Sequence, residues 1–380
     1  MQLSPSILEY IDAHAQEALD LLIELAQIPA PSHHEERRAV FCKEWLEQQG
    51  AKGVYIDSAL NVVWPVGCDE HHEIAAFMAH SDVVFPDTER LPLCIEDGRI
   101  YCPGVGDDTA NLVALLMAAK YIAQRQLTPM DKGVLFVIDS GEEGLGNLKG
   151  CRKIMEDYGD RITELVALDD HDAKGVSRAV GSKRFRITLD TEGGHSYSDF
   201  GNANAIAQVA ELIGALYAVE VPAEGKTTYN VGTISGGTTV NSIAAHAEIL
   251  YEFRSDERTS MEQMERKLEI IIAQFREKGF AITVEVVGDR PCSGDVDALL
   301  QQRLMCRAEV ALQNHYGHTL QWNSGSTDCN VSLAMGIPSV CVGCYNGAGS
   351  HTRGEYVEID SLRPGLGVAF ELILHYFREG

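Results

Sequence analysis

Apolar positions in the first part of the chain recur at two different spacings. Over residues 7–28 they fall at Ile7, Leu8, Ile11, Ala15, Leu19, Leu22 and Ala26, the spacing of one helix face, so an amphipathic helix is expected there, stopped by Pro31. Residues 35–49 predict a second helix closed by Gly50. Short runs at 54–56 and 62–66 predict strands around a turn at Asn61. Residues 74–79 (IAAFMA), 134–138 (VLFVI) and 165–168 (LVAL) are instead apolar without interruption, the pattern of a strand covered on both faces. A helix is expected at 112–122, between the first two of these runs. Each run stops at ionisable residues: His80-Ser81-Asp82, then Asp139 with Glu142 and Glu143, then Asp169-Asp170. In open α/β sheets ligands collect at the carboxyl ends of the strands, so these residues stand where chemistry is done.

From residue 183 the pattern becomes an alternation, as in strands with one wet face. Strands are expected at 185–190, 230–235, 245–254 and 281–287, with helices at 204–217 and 261–278. Strand, helix, strand, strand, helix, strand is a self-contained α+β sandwich, placed at 183–287 and dividing a first domain into 1–182 and 288–380. Beyond it come a helix at 296–316, a strand at 338–343 and a last helix at 361–377. The expected class is α/β, a mixed-sheet αβα domain with a ferredoxin-like α+β insertion.

Composition narrows the partners. The 380 residues carry a formal net charge of -25, which repels nucleic acid and anionic membranes and favours a cation as ligand. Hydrophobic content of 45% and charged content of 23% suit a packed globular protein. No run approaches membrane-spanning length, and the acidic amphipathic start lacks the basic and apolar regions of a leader, so a cytoplasmic protein is expected. Ten cysteines, scattered singly except for Cys341 and Cys344, are too sparse for a disulfide scaffold and are expected to be reduced.

Taken singly, each polar stretch has a plain explanation. Glu142 and Glu143 suit a solvated loop, and Asp107-Asp108 in the stretch GVGDDTAN suits the start of a helix. Together they suggest more. His80 and Asp82, two apart on an extended chain, point the same way, so the carboxylate can fix the imidazole tautomer as it does for metal-binding histidines. A carboxylate-rich set with histidine suits a pair of zinc, cobalt or manganese ions held for hydrolysis.

The motifs AHSDVV (79–84), GVGDDTAN (104–111), DSGEEGLG (139–146), LDD (168–170), GGHS (193–196), GSTD (325–328) and GSH (349–351) appear in this order. In that order they resemble the di-zinc peptidase family of acetylornithine deacetylase, succinyl-diaminopimelate desuccinylase, carboxypeptidase G and peptidase T, over nearly the whole chain. The resemblance implies two divalent metal ions, zinc first and cobalt or manganese as alternatives. Asp107 would bridge them, with His80 and Asp169 completing one site and Glu143 and His351 the other; Asp169 and Asp170 remain exchangeable. Glu142 would be the catalytic base, and Asp82, beside His80, counts with it among the catalytic residues. His195 would reach across a homodimer built through the inserted domain to polarise the scissile carbonyl. Asn241, Arg254 and Ser326 would bind substrate. Thr109 stands where the family usually has lysine, and Cys102-Pro103 where Gly-Arg is common. The implied reaction is hydrolysis of an amide in a short peptide, as an aminopeptidase or dipeptidase. A deacylase of N-acyl amino acids is the alternative, and a non-catalytic metal-binding scaffold the remote one.

Overall fold

The computed structural model describes residues 2–378. It divides into two compact units, Met1–Ala179 with Gly294–Gly380, and Val180–Ser293. The second is slightly wider than the expected 183–287 because its first and last strands, Gly181–Asp190 and Ala281–Arg290, outrun the clean part of the alternation.

The first unit is built on an eight-stranded sheet in the order Tyr55–Ile56, Val62–Val66, Gly133–Asp139, Ile74–His80, Ile162–Leu168, Ser339–Val342, Lys174–Ala179, Gln321–Gly325. Its four central strands run parallel, and antiparallel neighbours flank them. The uninterrupted apolar runs are explained by what lies on each side. Along Ile74–His80, residues Ala75, Phe77 and Ala79 enter a core formed with the helices Pro5–Ala26, Asn111–Arg125 and Ile359–Leu374. Ile74, Ala76 and Met78 enter a second core on the opposite face, with Leu148, Cys151 and Ile154 of the helical segment there. A residue period of two thus feeds two cores, and neither face tolerates a polar position.

The first helix ends at Ala26, earlier than expected, because Pro29 as well as Pro31 follows it, and the residue before a proline is pushed out of the helical region. Several elements carry little sequence signal: the helix Lys149–Tyr158, the strands Lys174–Ala179 and Gln321–Gly325, and a four-stranded sheet of two- and three-residue strands. That small sheet runs in the order Gly347–Ala348, Tyr356–Glu358, Arg99–Tyr101, Cys94–Glu96, and it holds the loop of residues 349–355. All ten cysteines are free, and Cys341 and Cys344 are buried.

The second unit is a four-stranded antiparallel sheet ordered Thr227–Gly236, His246–Ser255, Gly181–Asp190, Ala281–Arg290, with the helices Ala205–Tyr217 and Arg258–Glu277 covering one face. Phe185, Ile187 and Leu189 alternate into the core while Arg184, Arg186 and Thr188 face away from it. This is the expected strand and helix order of a ferredoxin-like sandwich.

Candidate metal centre

The parallel strands deliver their chemistry at one level. His80 closes Ile74–His80 in register with Asp139, which closes Gly133–Asp139, and Asp169 comes directly after the end of Ile162–Leu168. The Ser81 hydroxyl donates to the Asp139 carbonyl at 2.7 Å and locks the two strand ends together.

Asp82 organises the turn beyond these strand ends. Its buried carboxylate accepts the backbone N–H groups of Glu142 and Glu143, each at 3.0 Å, and the Ser32 hydroxyl at 2.6 Å. It also stands 3.5 Å from Nδ1 of His80, whose other nitrogen faces Asp107. Burial alone would raise Asp82, yet the His80 imidazole, Ser32 and the Glu143 N–H hold it down at about 2. Asp82 therefore orients the histidine, whose Nδ1 bonds the Asp82 backbone carbonyl at 3.1 Å, and with its carboxylate shapes the turn that presents both glutamates.

Asp107 and Asp108 lie in the turn Val105–Ala110, joined by a cis peptide bond. They do not cap the helix Asn111–Arg125, whose N-cap is Ala110 and makes no side-chain cap bond. The turn is pinned from below by Glu355, a buried side chain whose carboxylate accepts N–H groups from Gly104 at 2.8 Å, Gly106 at 2.9 Å and Asp107 at 2.8 Å. Gly104 has φ 74°, and a Cβ there would fall 2.3 Å from Val83 Cγ1, so the approach requires glycine. On the other side, the guanidinium of the buried Arg38 donates to the Ser81 carbonyl at 2.9 Å and to Thr109 Oγ1 at 3.2 Å.

Asp107 ends between two imidazoles. Its Oδ1 is 3.2 Å from Nε2 of His80 and its Oδ2 is 3.2 Å from Nε2 of His351. His351, at φ 65° in the 349–355 loop, also meets Glu143 Oε1 at 2.9 Å. Two overlapping donor groups result: His80, Asp107 and Glu143, and His80, Asp108 and Asp169, each with donor atoms within 4.8 Å of one another. Of the exchangeable pair, Asp169 is the one in such a group. Asp170, at φ 64°, turns its carboxylate to the backbone N–H of His171 at 2.8 Å. Asp108 is the addition that sequence reasoning did not assign; its oxygens also accept the His80 N–H at 2.9 Å and the Asn111 side chain at 2.7 Å.

The electrostatics are those of acids crowded out of water. Burial, then neighbouring Asp107 and Glu142, push Glu143 up to about 7 against the pull of His351. Burial and neighbouring carboxylates likewise drive Asp108 and Asp169 well above the usual range. Asp107 is held low by His351 and His80 against its own burial, and the Asp107 and Glu143 carboxylates hold the His351 imidazole up at about 10. Imidazole nitrogens and carboxylate oxygens are a donor set for zinc, cobalt or manganese, and cations would relieve this crowding, so the residues present fit a metal pair. Glu142 is buried beside the donor groups and belongs to neither. Ser326 is partly buried in the same unit.

Three of the expected residues lie in the second unit. His195 is exposed, and its Nδ1 accepts the backbone N–H groups of Tyr197 at 3.2 Å and Ser198 at 3.3 Å, so in the neutral ring the proton sits on Nε2. Asn241 is brought to the same loop, its carbonyl accepting the Ser196 N–H at 3.0 Å. Arg254 is not: it pairs in register with Ser182, at the far end of the strand from His246 and Asp190, and its Nε bonds Glu252 at 3.1 Å.

Comparison with known proteins points the same way. Residues 76–375 match the profile of peptidase family M20/M25/M40. The uncharacterized protein YqjE of Bacillus subtilis (strain 168) is 25% identical over 376 residues, covering 90% of this chain and 94% of its own. An acetylornithine deacetylase of Myxococcus xanthus is 27% identical over 318 residues, 79% of this chain and 80% of its own. The crystal structure of a tripeptidase from Staphylococcus aureus superposes with TM-score 0.75 at 23% identity, over 94% of this chain and 97% of that one, which shows a shared fold.

Proposed function

The chain belongs to peptidase family M20/M25/M40, and on that premise we propose that it is a di-metal hydrolase that cuts an amide bond in a short peptide, as an aminopeptidase or dipeptidase. The observation that carries this reading is the Asp107 carboxylate, with one oxygen 3.2 Å from His80 Nε2 and the other 3.2 Å from His351 Nε2. A carboxylate so placed between two imidazoles suits a bridge between two ions, with His80 and Asp169 as the further ligands on one side and Glu143 and His351 on the other. Zinc is the metal proposed, with cobalt and manganese chemically close.

A metal pair held by these residues would supply Lewis-acid polarisation of the scissile carbonyl and a water of lowered pKa. Glu142 takes the proton from that water and passes it to the leaving amine. Asp82 keeps His80 in the tautomer that turns Nε2 to the centre, and through two backbone N–H bonds it sets the direction of Glu142. His195, with its proton on Nε2, donates to the carbonyl oxygen as negative charge develops there. In the role the resemblance implies, it does so from a partner subunit, in a homodimer formed through the inserted unit. Asn241, Ser326 and Arg254 contact the substrate, Arg254 after release from Glu252. The free cysteines suit a reducing compartment, and a cytoplasmic location is proposed with the rest.

The second reading, a deacylase of N-acyl amino acids, is favoured by the name of the Myxococcus relative, acetylornithine deacetylase. A panel of di- and tripeptides and N-acetyl and N-succinyl amino acids, assayed for released amine with zinc, cobalt or manganese, separates them. Peptidase activity predicts cleavage of free-amine peptides only; turnover restricted to acylated amino acids would transfer the assignment to the deacylase.

A further inference from the structure

We propose that Arg38 is a positioning residue of the metal centre, a buried fork that ties the segment bearing His80 and Asp82 to the turn bearing Asp107. This rests on the di-metal reading. Arg38 comes from the helix Glu36–Gln48, and its side chain is fully buried in the first unit. Nε donates to the Ile28 carbonyl at 2.8 Å, and Nη1 to the Ser81 carbonyl at 2.9 Å and to Thr109 Oγ1 at 3.2 Å. Ser81 lies between His80 and Asp82. Thr109 comes directly after Asp107 and Asp108, and its hydroxyl donates onward to the Gly104 carbonyl. One rigid guanidinium therefore grips both ligand-bearing segments away from the ligand side chains.

Packing alone does not explain a charge at this position. A buried guanidinium carries a desolvation penalty that an apolar side chain of similar volume avoids. What the guanidinium supplies is geometry and charge. Its planar donors fix the two segments in a way a flexible ammonium cannot. Its charge is also felt by the carboxylates of Asp82 and Glu355. These are the two carboxylates whose hydrogen bonds shape the Glu142–Glu143 turn and the 104–107 turn. Arg38 thus holds the two segments by the Ser81 carbonyl and the Thr109 hydroxyl, and none of these bonds goes to a ligand side chain.

The test is a cobalt titration of the metal-stripped protein, read by the visible absorption of the bound ion and by competition with a chelating dye. Arg38→Met should lower cobalt affinity by roughly 10- to 100-fold, the usual effect of losing a partner behind the ligands, and should shift the visible band. Thr109→Val, which removes one arm and keeps the charge, should give a smaller loss in the same direction. Arg38→Met combined with Thr109→Lys returns a cation to the vacated space from the opposite wall and should recover much of the lost affinity; a residue that only fills space predicts no recovery. Wild-type affinity and spectrum in folded Arg38→Met would overturn the brace. Should that variant not fold, an unchanged Thr109→Val overturns it. Wild-type protein that takes up fewer than two ions would fail at the outset and would sink the di-metal reading, and the brace with it.

Discussion

The largest sheet of each unit treats polar side chains in its own way, and the two ways are opposite. The central parallel strands of the eight-stranded sheet are covered on both faces, and the acids Asp82, Asp108, Asp139, Glu142 and Glu143 are buried at and just beyond their carboxyl ends. The four-stranded sheet of the inserted unit is covered on one face, and the residues proposed for chemistry there are exposed, His195 in the strand Gly194–His195 and Asn241 just before its partner strand Ser242–Ile243. The difference teaches what each is suited to do. Buried acids held by backbone N–H bonds are preorganised and hold their geometry before substrate arrives. An exposed imidazole turned by two neighbouring N–H groups suits the role proposed for His195.

The comparison breaks first at Glu142. Glu142→Gln keeps the volume and removes the proposed base, so turnover should fall by roughly a thousandfold while metal content measured by elemental analysis stays at the wild-type level. A variant that also lost metal would exchange the roles of Glu142 and Glu143. On the exposed side, His195→Ala should cost less, about a hundredfold in turnover, the usual effect of losing one oxyanion donor. Neither metal content nor melting temperature should change, because the side chain supports no core. Full activity in that variant would leave the inserted unit without a catalytic role.

The smallest effect sharpens the contrast within the larger sheet. Glu164 lies toward the other end of the strand Ile162–Leu168, paired with Lys132 Nζ at 2.9 Å and with Arg307. Burial would raise its carboxyl, but the Arg307 and Lys132 charges hold it below the ordinary 4.5. A depressed folded value means stability that is present above pH 4.5 and lost as the pH falls through that folded value. Glu164→Gln should therefore cost about 2 kcal/mol in urea unfolding at pH 7, with the gap from wild type closing in acid. A constant gap across the titration would assign the loss to packing instead.

Much of this was legible from hydrophobic pattern. The three uninterrupted runs ending in His80, Asp139 and Asp169 announce a doubly covered parallel sheet with acids at its carboxyl end, because burial on both faces leaves polar residues nowhere else to stand. The alternation from residue 183 announces the half-wet sheet equally well. What stayed hidden depends on pairings far apart in the chain. The strands that carry the 349–355 loop are two or three residues long and pair with residues 94–101, too short for any period to register. Glu355 looks like a loop acid until its carboxylate is seen holding backbone groups 251 positions away. Arg38 reads as surface charge on an amphipathic helix, and Asp108 as a helix cap. Arg254 illustrates the converse: its expected place at the substrate says nothing of the Glu252 pairing that occupies it.

The first and last strands of the inserted unit are neighbours, with Ser182 opposite Arg290 across the ladder. The polypeptide therefore leaves this unit beside the point where it entered. In topological terms the whole of Val180–Ser293 is one self-closed excursion, a passenger whose two ends meet. A passenger joined at a single junction can be lengthened or exchanged by events at that junction alone, leaving the strands that carry the metal-centre acids untouched.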